Sequence, residues 1–560
     1  MHQPEYRDLA TGSFQLPWTY LHAIKDYVDM AALLELTPGA RAVVNFVPIL
    51  LEQIDDYARQ LESHLQHGTS LTDPLLAALA APQLDNLDEA QRERLARACL
   101  RVNESRLINR FDEFRRLAQL VKLALDRDGM GGYLATPVIT DLVVWYHLAW
   151  LGETVRMHDR RIQRLVEKGR MFDHEDRRVL LEVIAGLLDT LIGRYRRLSE
   201  QGKVELSMTP YAHPMLPLLL NFATAREAVT DMPLPVSTSY PGGQQRARWH
   251  IEHGLSVFER YFGQRPRGCW PSEGGVSDAT VALLGEFGFE WLATGESILR
   301  NSLAQMALPQ HTTVESRMHR PYRVDGLRPI CFFRDDGLSD LIGFTYSSWH
   351  GDDAVNNMVH HLENIAKECI ANGDHRVVSI ILDGENAWES YPSNGYYFLS
   401  ALYRRLANHP DLDLTTFADT LDVAAPAPAQ LKRLVAGSWV YGTFSTWMGD
   451  ADKNRGWDML CEAKRVYDQA LAAGTIDADR RQRLLHQLAA CEGSDWFWWF
   501  GDYNPAETVG DFEKLFRLHL HNLYMLLQVA PPSELQSVIS HGGGDPAQGG
   551  VMRPGQAGTH

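Results

Sequence analysis

Basic residues are too few in this 560-residue chain to balance the acidic ones. There are 54 lysines and arginines against 71 aspartates and glutamates, the formal net charge is −17 at pH 7, and no long Lys/Arg run offsets it locally. A surface of that sign repels a phosphate backbone. The charge balance therefore argues against nucleic acid as a partner.

Cysteine is scarce, and long apolar runs are missing. The six cysteines form no CxxC pair and have no metal-ligand spacing, so they indicate neither a disulfide framework nor a zinc site, and reduced thiols are expected. No apolar run approaches the roughly 18 residues that span a bilayer, and the N-terminus MHQPEYRDLATGSFQ is polar from its second residue. We expect a cytoplasmic protein, neither secreted nor membrane-bound.

Short apolar runs alternate with helical patterns in the first three quarters of the chain. VVNFVPIL, KVELS, GCW, FEWLAT, PICFFRD and RVVSIILD are typical of buried strands. Strands that alternate with helices favour an α/β fold with a parallel sheet, open or closed into a barrel. Residues from about 75 to 200 instead predict a helical insertion, with Asn103 as an N-cap and Gly202 as a C-terminal stop.

The end of the chain differs in character. Residues 421–530 carry helical patterns and predict a C-terminal helical domain after a catalytic domain of residues 1–420. Residues 531–560 are rich in Gly, Pro and small polar groups, which cannot bury enough apolar surface to order themselves. We expect a disordered tail there.

Two carboxylates follow apolar runs, where the loops of a parallel sheet gather chemistry. In GCWPSEGGVSD, Ser277 suits an N-cap and Asp278 a first helical turn, whereas Glu273 has no such local role and indicates either a surface loop or a site. In ILDGENAWE, Asp383 ends the run and begins an Asp-Gly turn. The neighbouring Glu385 and Glu389 are expected to support it.

A metal site is the second functional interpretation of ILDGENAWE, because hard cations take carboxylate and amide oxygens. The spacing fits no EF-hand loop, the chain has no HExxH, and its two HxxH pairs lack an obvious third ligand. We predict no metal and no other cofactor.

Histidines and tryptophans complete the set of candidate residues. His2 and His213 each precede a proline-containing element at a strand end, which is compatible with core histidines or with a shared cleft. The chain has 14 tryptophans, many beside Gly and Asp, and these suit either a surface that stacks on sugar rings or a bulky interdomain core. Two carboxylates on separate loops with aromatics around them meet the requirement of glycoside hydrolysis.

Taken together, the segments resemble glycoside hydrolase family 57, in its amylopullulanase-like and alpha-amylase-like branch. The resemblance lies, in order, in MHQP, GKVELSMTPYAHPMLPL, GCWPSEGGVSD, ILDGENAWE and GSWVYGTFSTWMGDADKNRGW. It covers about residues 1–525. It implies an irregular (β/α)7 barrel followed by a C-terminal helical bundle. It also implies retaining cleavage of alpha-1,4 bonds in alpha-glucans or maltooligosaccharides, extended to alpha-1,6 bonds in the amylopullulanase type, without an obligatory metal.

The resemblance also implies roles for individual residues. Glu273 would be the nucleophile and Asp383 the general acid/base. The remaining candidates would bind substrate: His2, Glu205, His213, Trp270, Trp388, Trp439, Trp447 and Trp498.

One feature departs from the family pattern, which has an apolar first strand ending in His-x-His-Gln-Pro. Here the chain begins at Met1 with the second histidine alone. A barrel that lacked this strand would leave strand edges and apolar surface unpaired, so we expect a start assigned too late.

Other functions are compatible with some of the same sequence features. A 4-alpha-glucanotransferase or a branching enzyme uses the same covalent intermediate with a sugar as acceptor. A glucan-binding protein without catalysis would keep the cleft, but the presence of both Glu273 and Asp383 argues against it. A metal-dependent polysaccharide deacetylase is disfavoured because no Asp and His ligand set is evident.

Overall fold

The computed structural model describes residues 1–126, 134–306, 317–423, 426–474 and 476–544. In these ranges, no helix combines the length and the apolar character needed to cross a membrane.

The described residues form nine strands in two sheets. A small antiparallel pair joins β1 to β2, and a seven-stranded sheet has the order β3-β4-β5-β6-β8-β7-β9. All neighbours in the large sheet are parallel except β7 with β8. The bounds are β1 Arg7–Asp8, β2 Ser13–Phe14, β3 Ala42–Phe46, β4 Val204–Met208, β5 Gly268–Cys269, β6 Trp291–Thr294, β7 Tyr322–Val324, β8 Ile330–Phe333 and β9 Ala429–Leu431.

Helices connect and cover the strands. Those before β4 are α1 Trp18–His22, α2 Val28–Leu36, α3 Pro48–His67, α4 Pro74–Ala80, α5 Glu89–Leu100, α6 Asp112–Leu125, α7 Thr136–Trp150, α8 Glu153–His158, α9 Arg160–Lys168 and α10 His174–Glu200. Those between β4 and β9 are α11 Leu216–Leu220, α12 Gly243–Phe262, α13 Asp278–Glu286, α14 Glu296–Ala304, α15 Asp336–Asp340, α16 Gly351–Asn372, α17 Asn386–Glu389, α18 Tyr396–Ala407 and α19 Phe417–Val423. The last are α20 Ala451–Ala472, α21 Ala478–Cys491, α22 Asp495–Trp499 and α23 Ala506–Leu527.

The large sheet is covered on both faces, as parallel strands require. Trp291 and Phe332 belong to one apolar cluster, whereas Leu292 and Cys331, next to them on the same strands, belong to the main core. This alternation explains why these strands are continuous apolar runs in the sequence. The predicted α/β fold with a mostly parallel sheet is therefore confirmed.

Local signals set several boundaries as predicted. Ser277 caps α13 through a hydrogen bond from the Thr280 N–H to its hydroxyl. Gly202 and Gly263 follow α10 and α12 with φ of 70° and 71°, the left-handed conformation that glycine adopts without strain. Asn103 does cap a helical turn, but that turn is the separate segment Glu104–Ile108 ahead of α6.

The predicted strand over VVSIIL is an exception. It pairs with the sheet only through a bridge between Ser379 and Arg334, and Ile381 donates its N–H to the Ser339 hydroxyl instead of to a strand. The Val377 N–H donates to the carbonyl of His319, which lies outside the strands, at 2.8 Å. A strand needs a backbone ladder along its length, and among the described residues this segment has a single bridge to the sheet where a ladder was expected.

Two predicted domain limits also change. The boundary at residue 420 is too early, because β9 pairs with β7 in the same sheet. The tail is wrong for its first part, since Leu535 and Ile539 are buried against the C-terminal helices and the Ile539 N–H donates to Glu513. These two apolar side chains supply the burial that the tail's composition did not suggest. The rest of the tail, 545–560, lies outside the described residues.

Candidate functional site

Glu273 lies in a strained turn after β5. The turn Ser272–Gly274 places Glu273 at φ 58°, a left-handed conformation that costs a non-glycine residue about 1 to 2 kcal/mol. The strain is held from across the chain: Trp439 donates its backbone N–H to the Glu273 carbonyl at 3.0 Å, and Val276 and Gly437 exchange two backbone hydrogen bonds. The segment around residues 437–439 therefore fixes the conformation of the Glu273 loop.

The Glu273 carboxyl group is nearly enclosed, with 13% of the side chain exposed. Its Oε2 accepts a hydrogen bond from the Trp439 indole N–H at 2.9 Å. Burial raises the pKa of Glu273 to about 8, and the charge of Asp383 adds to this rise, while His2 and the indole N–H oppose it. Trp439 thus stabilises the ionised form of a carboxyl group that burial would keep protonated.

His2 and His213 stack on each other beside Glu273. Their ring centroids are 3.5 Å apart with 19° between the planes. His2 Nε2 is 3.1 Å from Asp495, and His213 Nδ1 shares a 2.7 Å hydrogen bond with the Ser494 hydroxyl. Burial alone would lower the pKa of His2, but Asp495 outweighs it and raises that pKa, whereas burial and the charge of His2 hold the pKa of His213 well below its usual value. Of the two stacked rings, His2 therefore holds a proton more readily than His213.

His2, His213 and Glu273 are also the one group of metal-ligand type found among the described residues, with ligand atoms within 4.8 Å of one another. A tetrahedral ion needs ligand lone pairs that converge on it. The lone pair of an imidazole nitrogen lies in the plane of its ring, and two rings stacked with 19° between their planes do not direct in-plane lone pairs at one nearby point. Each ring also has a nitrogen engaged with Asp495 or Ser494. The rings would have to turn out of this arrangement to hold a metal.

Asp383 and Glu385 approach the same site from the segment after VVSIIL. Burial, followed by the charge of Glu385, raises the pKa of Asp383 to about 6. Glu385 is 3% exposed, and its Oε1 accepts hydrogen bonds from the His2 backbone N–H at 3.0 Å and from the Gln3 side chain at 3.4 Å. Glu385 therefore holds the N-terminal residues of the site, whereas the sequence predicted that it supports Asp383.

The tryptophans predicted to bind substrate divide into two groups. Trp270 is half-buried and meets Trp439 edge to face at 6.0 Å, so these two stand at the Glu273 loop. Trp388, Trp447 and Trp498 are buried in apolar clusters. For these three the alternative of a bulky core is correct in this conformation, because packed indoles present no face to a ligand.

Glu205 is far from the other candidates along the strand direction. It stands near the start of β4, whereas Met208 at the end of that strand pairs with Cys269 just before the Glu273 loop. Three residues of strand are about 10 Å. Glu205 accepts hydrogen bonds from the Trp291 indole N–H at 2.7 Å and the Ala418 N–H at 2.9 Å, so it joins β4, β6 and α19 at the opposite end of the sheet.

Ser494 and Asp495 were missed as functional residues. They are the first two residues of the segment SDWFWWFGDYN, whose aromatic residues predicted packing or sugar stacking and gave no role to the two polar residues before them. His2 and Asp495 are 493 positions apart in the chain. The signal available in the sequence was a Ser-Asp pair at the start of an otherwise apolar helix, α22.

A mostly parallel α/β fold that carries two carboxyl groups of raised pKa, Glu273 and Asp383, has the pair of acidic groups that glycoside hydrolases use. The chain is a member of glycosyl hydrolase family 57, whose family model matches residues 1–427. A sequence comparison with curated proteins found no match.

Solved structures of similar fold include a GH57 branching enzyme from Thermococcus kodakaraensis (15% identity, TM-score 0.59, 94% of this chain and 88% of that one). A GH57-type branching enzyme from Pyrococcus horikoshii is similar at 16% identity, TM-score 0.57 and the same coverage of both chains, 94% and 88%. The alpha-amylase AmyC from Thermotoga maritima is similar at 14% identity and TM-score 0.55, over 96% of this chain and 92% of that one. At these identities the likeness shows the fold.

Proposed function

We propose that this protein is a retaining glycoside hydrolase of alpha-amylase or amylopullulanase type that cleaves alpha-glucans through a covalent glycosyl-enzyme intermediate. The observation that carries the proposal is that the Glu273 loop and the segment of Asp383 both reach the stacked histidines. His213 Nδ1 lies 3.9 Å from Glu273, His2 stacks on His213, and the His2 N–H donates to Glu385, two residues after Asp383. Family membership supports the glycosidase chemistry, and the names of the similar structures support the substrate class. The matching architecture is a (β/α)7 barrel completed by the C-terminal helices.

In this mechanism Glu273 attacks the anomeric carbon while Asp383 donates its proton to the departing glycosidic oxygen. A water molecule then gives its proton to Asp383 and attacks the same carbon, which releases Glu273 and restores the configuration. The Trp439 indole N–H and the charge of His2 in its protonated form favour the ionised form of Glu273, which is the form that attacks. Asp495 and Ser494 hold the two histidine rings in place.

In the resting enzyme at neutral pH, Glu273 and Asp383 together hold one proton. With a pKa near 8 for Glu273 and near 6 for Asp383, the singly protonated site at neutral pH carries its proton mainly on Glu273. The reactive form has the same proton count with the proton on Asp383. The populations of both forms change with pH in the same way. The two pKa values of a bell-shaped rate profile therefore describe the pair of carboxyl groups and not either residue alone.

Product analysis on maltooligosaccharides and pullulan tests the reaction. Hydrolysis yields new reducing ends, whereas a glucanotransferase or branching enzyme yields rearranged chains at a constant reducing-end count. We expect hydrolysis by the wild type and loss of nearly all activity in Glu273→Gln and Asp383→Asn. Full activity in either variant removes the mechanism, and a constant reducing-end count assigns transfer in place of hydrolysis.

Azide rescue with an alpha-maltosyl fluoride tests the two roles separately. Without its nucleophile, Glu273→Gly should let azide attack from the opposite face and give the beta-azide. Without its acid/base, Asp383→Gly should still form the intermediate, and azide should then give the alpha-azide. The reverse pairing of variants and products would exchange the two roles.

A further inference from the structure

Exposed aromatic side chains are concentrated in one part of this protein. In the described ranges, the large apolar side chains that stand exposed include four aromatic ones: Phe344, Trp349, Tyr397 and Tyr503. The first three come from a single stretch of the chain. Phe344 and Trp349 are each 41% exposed and Tyr397 is 60% exposed, although aromatic rings are among the residues that folding buries most.

Two of these rings border the start of α16. Trp349 precedes that helix by two residues and packs against the buried Tyr346 ring at 5.3 Å. Gly351, the first residue of α16, lies against Tyr397: a β-carbon built on the glycine would stand 3.7 Å from the Tyr397 Cβ. Trp349 and Tyr397 therefore share one surface, supported from below by Tyr346 and by Phe398, whose rings are 5.8 Å apart.

The turn that carries Phe344 packs against the segment that leads to Asp383. Phe344 stands in the turn Leu341–Thr345, and a β-carbon on its neighbour Gly343 would lie 3.9 Å from Leu382, the residue before Asp383. The Tyr391 hydroxyl donates to the Ile342 carbonyl at 2.6 Å and so ties this turn to the segment that follows Asp383. Phe344 is thus connected through its turn to the segment that carries Asp383.

We propose that Phe344, Trp349 and Tyr397 form an aromatic strip that binds the chain of a polymeric alpha-glucan outside the reaction site; this rests on the proposed function. The apolar C–H face of a glucose ring stacks on an aromatic ring, and its hydroxyl groups need polar neighbours. The exposed Ser348, His350 and Asp352 supply them. Interface cores between proteins are enriched in aromatic residues but depleted of charged ones, whereas the exposed carboxylates of Asp352 and Asp353 follow closely after Trp349 in the chain.

A glucan long enough to occupy both the reaction site and the strip should bind more tightly than a short one. Kinetic constants are measured on amylose and on p-nitrophenyl alpha-maltoside for the wild type and for Phe344→Ala/Trp349→Ala. We expect KM for amylose to rise roughly five- to tenfold, the range of a stacking aromatic residue at a binding surface. kcat and both constants for the short substrate should stay unchanged.

Three controls separate binding from folding. Met525→Ala/Val529→Ala removes two exposed apolar side chains at the C-terminal end of α23, outside residues 344–397, and should leave both substrates unaffected. Trp349→Tyr should keep the affinity for amylose close to that of the wild type, because it keeps an aromatic ring at this position. Retention in native gels that contain soluble starch gives a second readout, independent of turnover, and the double variant should migrate faster than the wild type.

Several results would overturn the strip. An unchanged KM for amylose, or an equal loss on long and short substrates, would do so. A change of oligomeric state in the double variant without a change in retention would assign the surface to a protein partner. If the wild type cleaves no alpha-glucan, the proposed function fails; starch retention that depends on Phe344 and Trp349 would still support the strip, and absent retention would overturn it as well.

Discussion

Trp439→Phe is the substitution that best separates the roles of the two carboxyl groups. It removes the indole N–H that donates to Glu273 Oε2 at 2.9 Å and keeps an aromatic ring for the contacts with Trp270 and with the Arg334 guanidinium, which lies 5.0 Å from the Trp439 ring centroid. A hydrogen bond to a charged group contributes about 1.5 to 3 kcal/mol. Since one pKa unit corresponds to about 1.4 kcal/mol, the pKa of Glu273 should rise by about 1 to 2 units.

The sign of the effect on the pH profile follows from the order of the two pKa values. In the wild type we expect kcat/KM to fall below about 6, where Asp383 becomes protonated, and above about 8, where Glu273 loses the shared proton. Trp439→Phe disfavours every form with an ionised Glu273, including the reactive one. The plateau should therefore drop about ten- to a hundredfold, and the basic limb should move up by about 1 to 2 units while the acidic limb stays in place.

The assay is kcat/KM on a chromogenic maltooligosaccharide from pH 4.5 to 10. Trp447→Phe is the matched control, because Trp447 is fully buried and its indole N–H has no partner in the described part of the chain; its profile should keep both limbs. A drop in Trp439→Phe with neither limb displaced would refute the reasoning, since it would show a structural effect. Movement of the acidic limb would show that Asp383, and not Glu273, has the higher pKa.

Three further predictions concern charges around the site. Asp495→Asn should lower the pKa of His2. The raised pKa of folded His2 stabilises the protein at pH values below about 6.5, and this stabilisation is lost as the pH rises through the folded pKa. In urea titrations the variant should therefore lose more unfolding free energy at pH 5.5 than at pH 9, and equal losses would contradict this. Glu492→Gln should lower the unfolding free energy by about 3 to 5 kcal/mol at pH 7, because it leaves the buried Arg246 without its charged partner. Burial would raise the pKa of Glu492, but Arg246 and His250 hold it at about 2, so this contribution in the wild type should be lost only as the pH falls from about 4.5 towards 2. A loss below about 1 kcal/mol in urea at pH 7 would refute the prediction. Glu205→Gln should keep kcat/KM within about twofold, because the residue stands about 10 Å down its strand from the site; a loss above tenfold with an unchanged melting temperature would return it to the site.

Local patterns predicted correctly those helices and strands whose signals lie within one short segment of the chain. KVELS and FEWLAT form strands because both faces are buried, and Ser277 caps α13 because its hydroxyl reaches the N–H of Thr280. VVSIIL carries the same apolar signal, yet it makes a single bridge to its neighbour. A strand depends on a partner from elsewhere in the chain, and its own composition does not report whether that partner is present.

By itself, the sequence determined that Glu273 and Asp383 stand on loops after apolar runs, and its motifs were enough to indicate the family. Only the tertiary structure decided which side chains surround them. Trp439 and Trp447 stand eight positions apart in one aromatic segment, but one hydrogen-bonds Glu273 and the other is sealed in the core. Likewise, Asp495 acquires its role from His2 at the other end of the chain. Charge, hydrogen bonding and burial act over a few ångströms, and distance along the sequence does not fix distance in space.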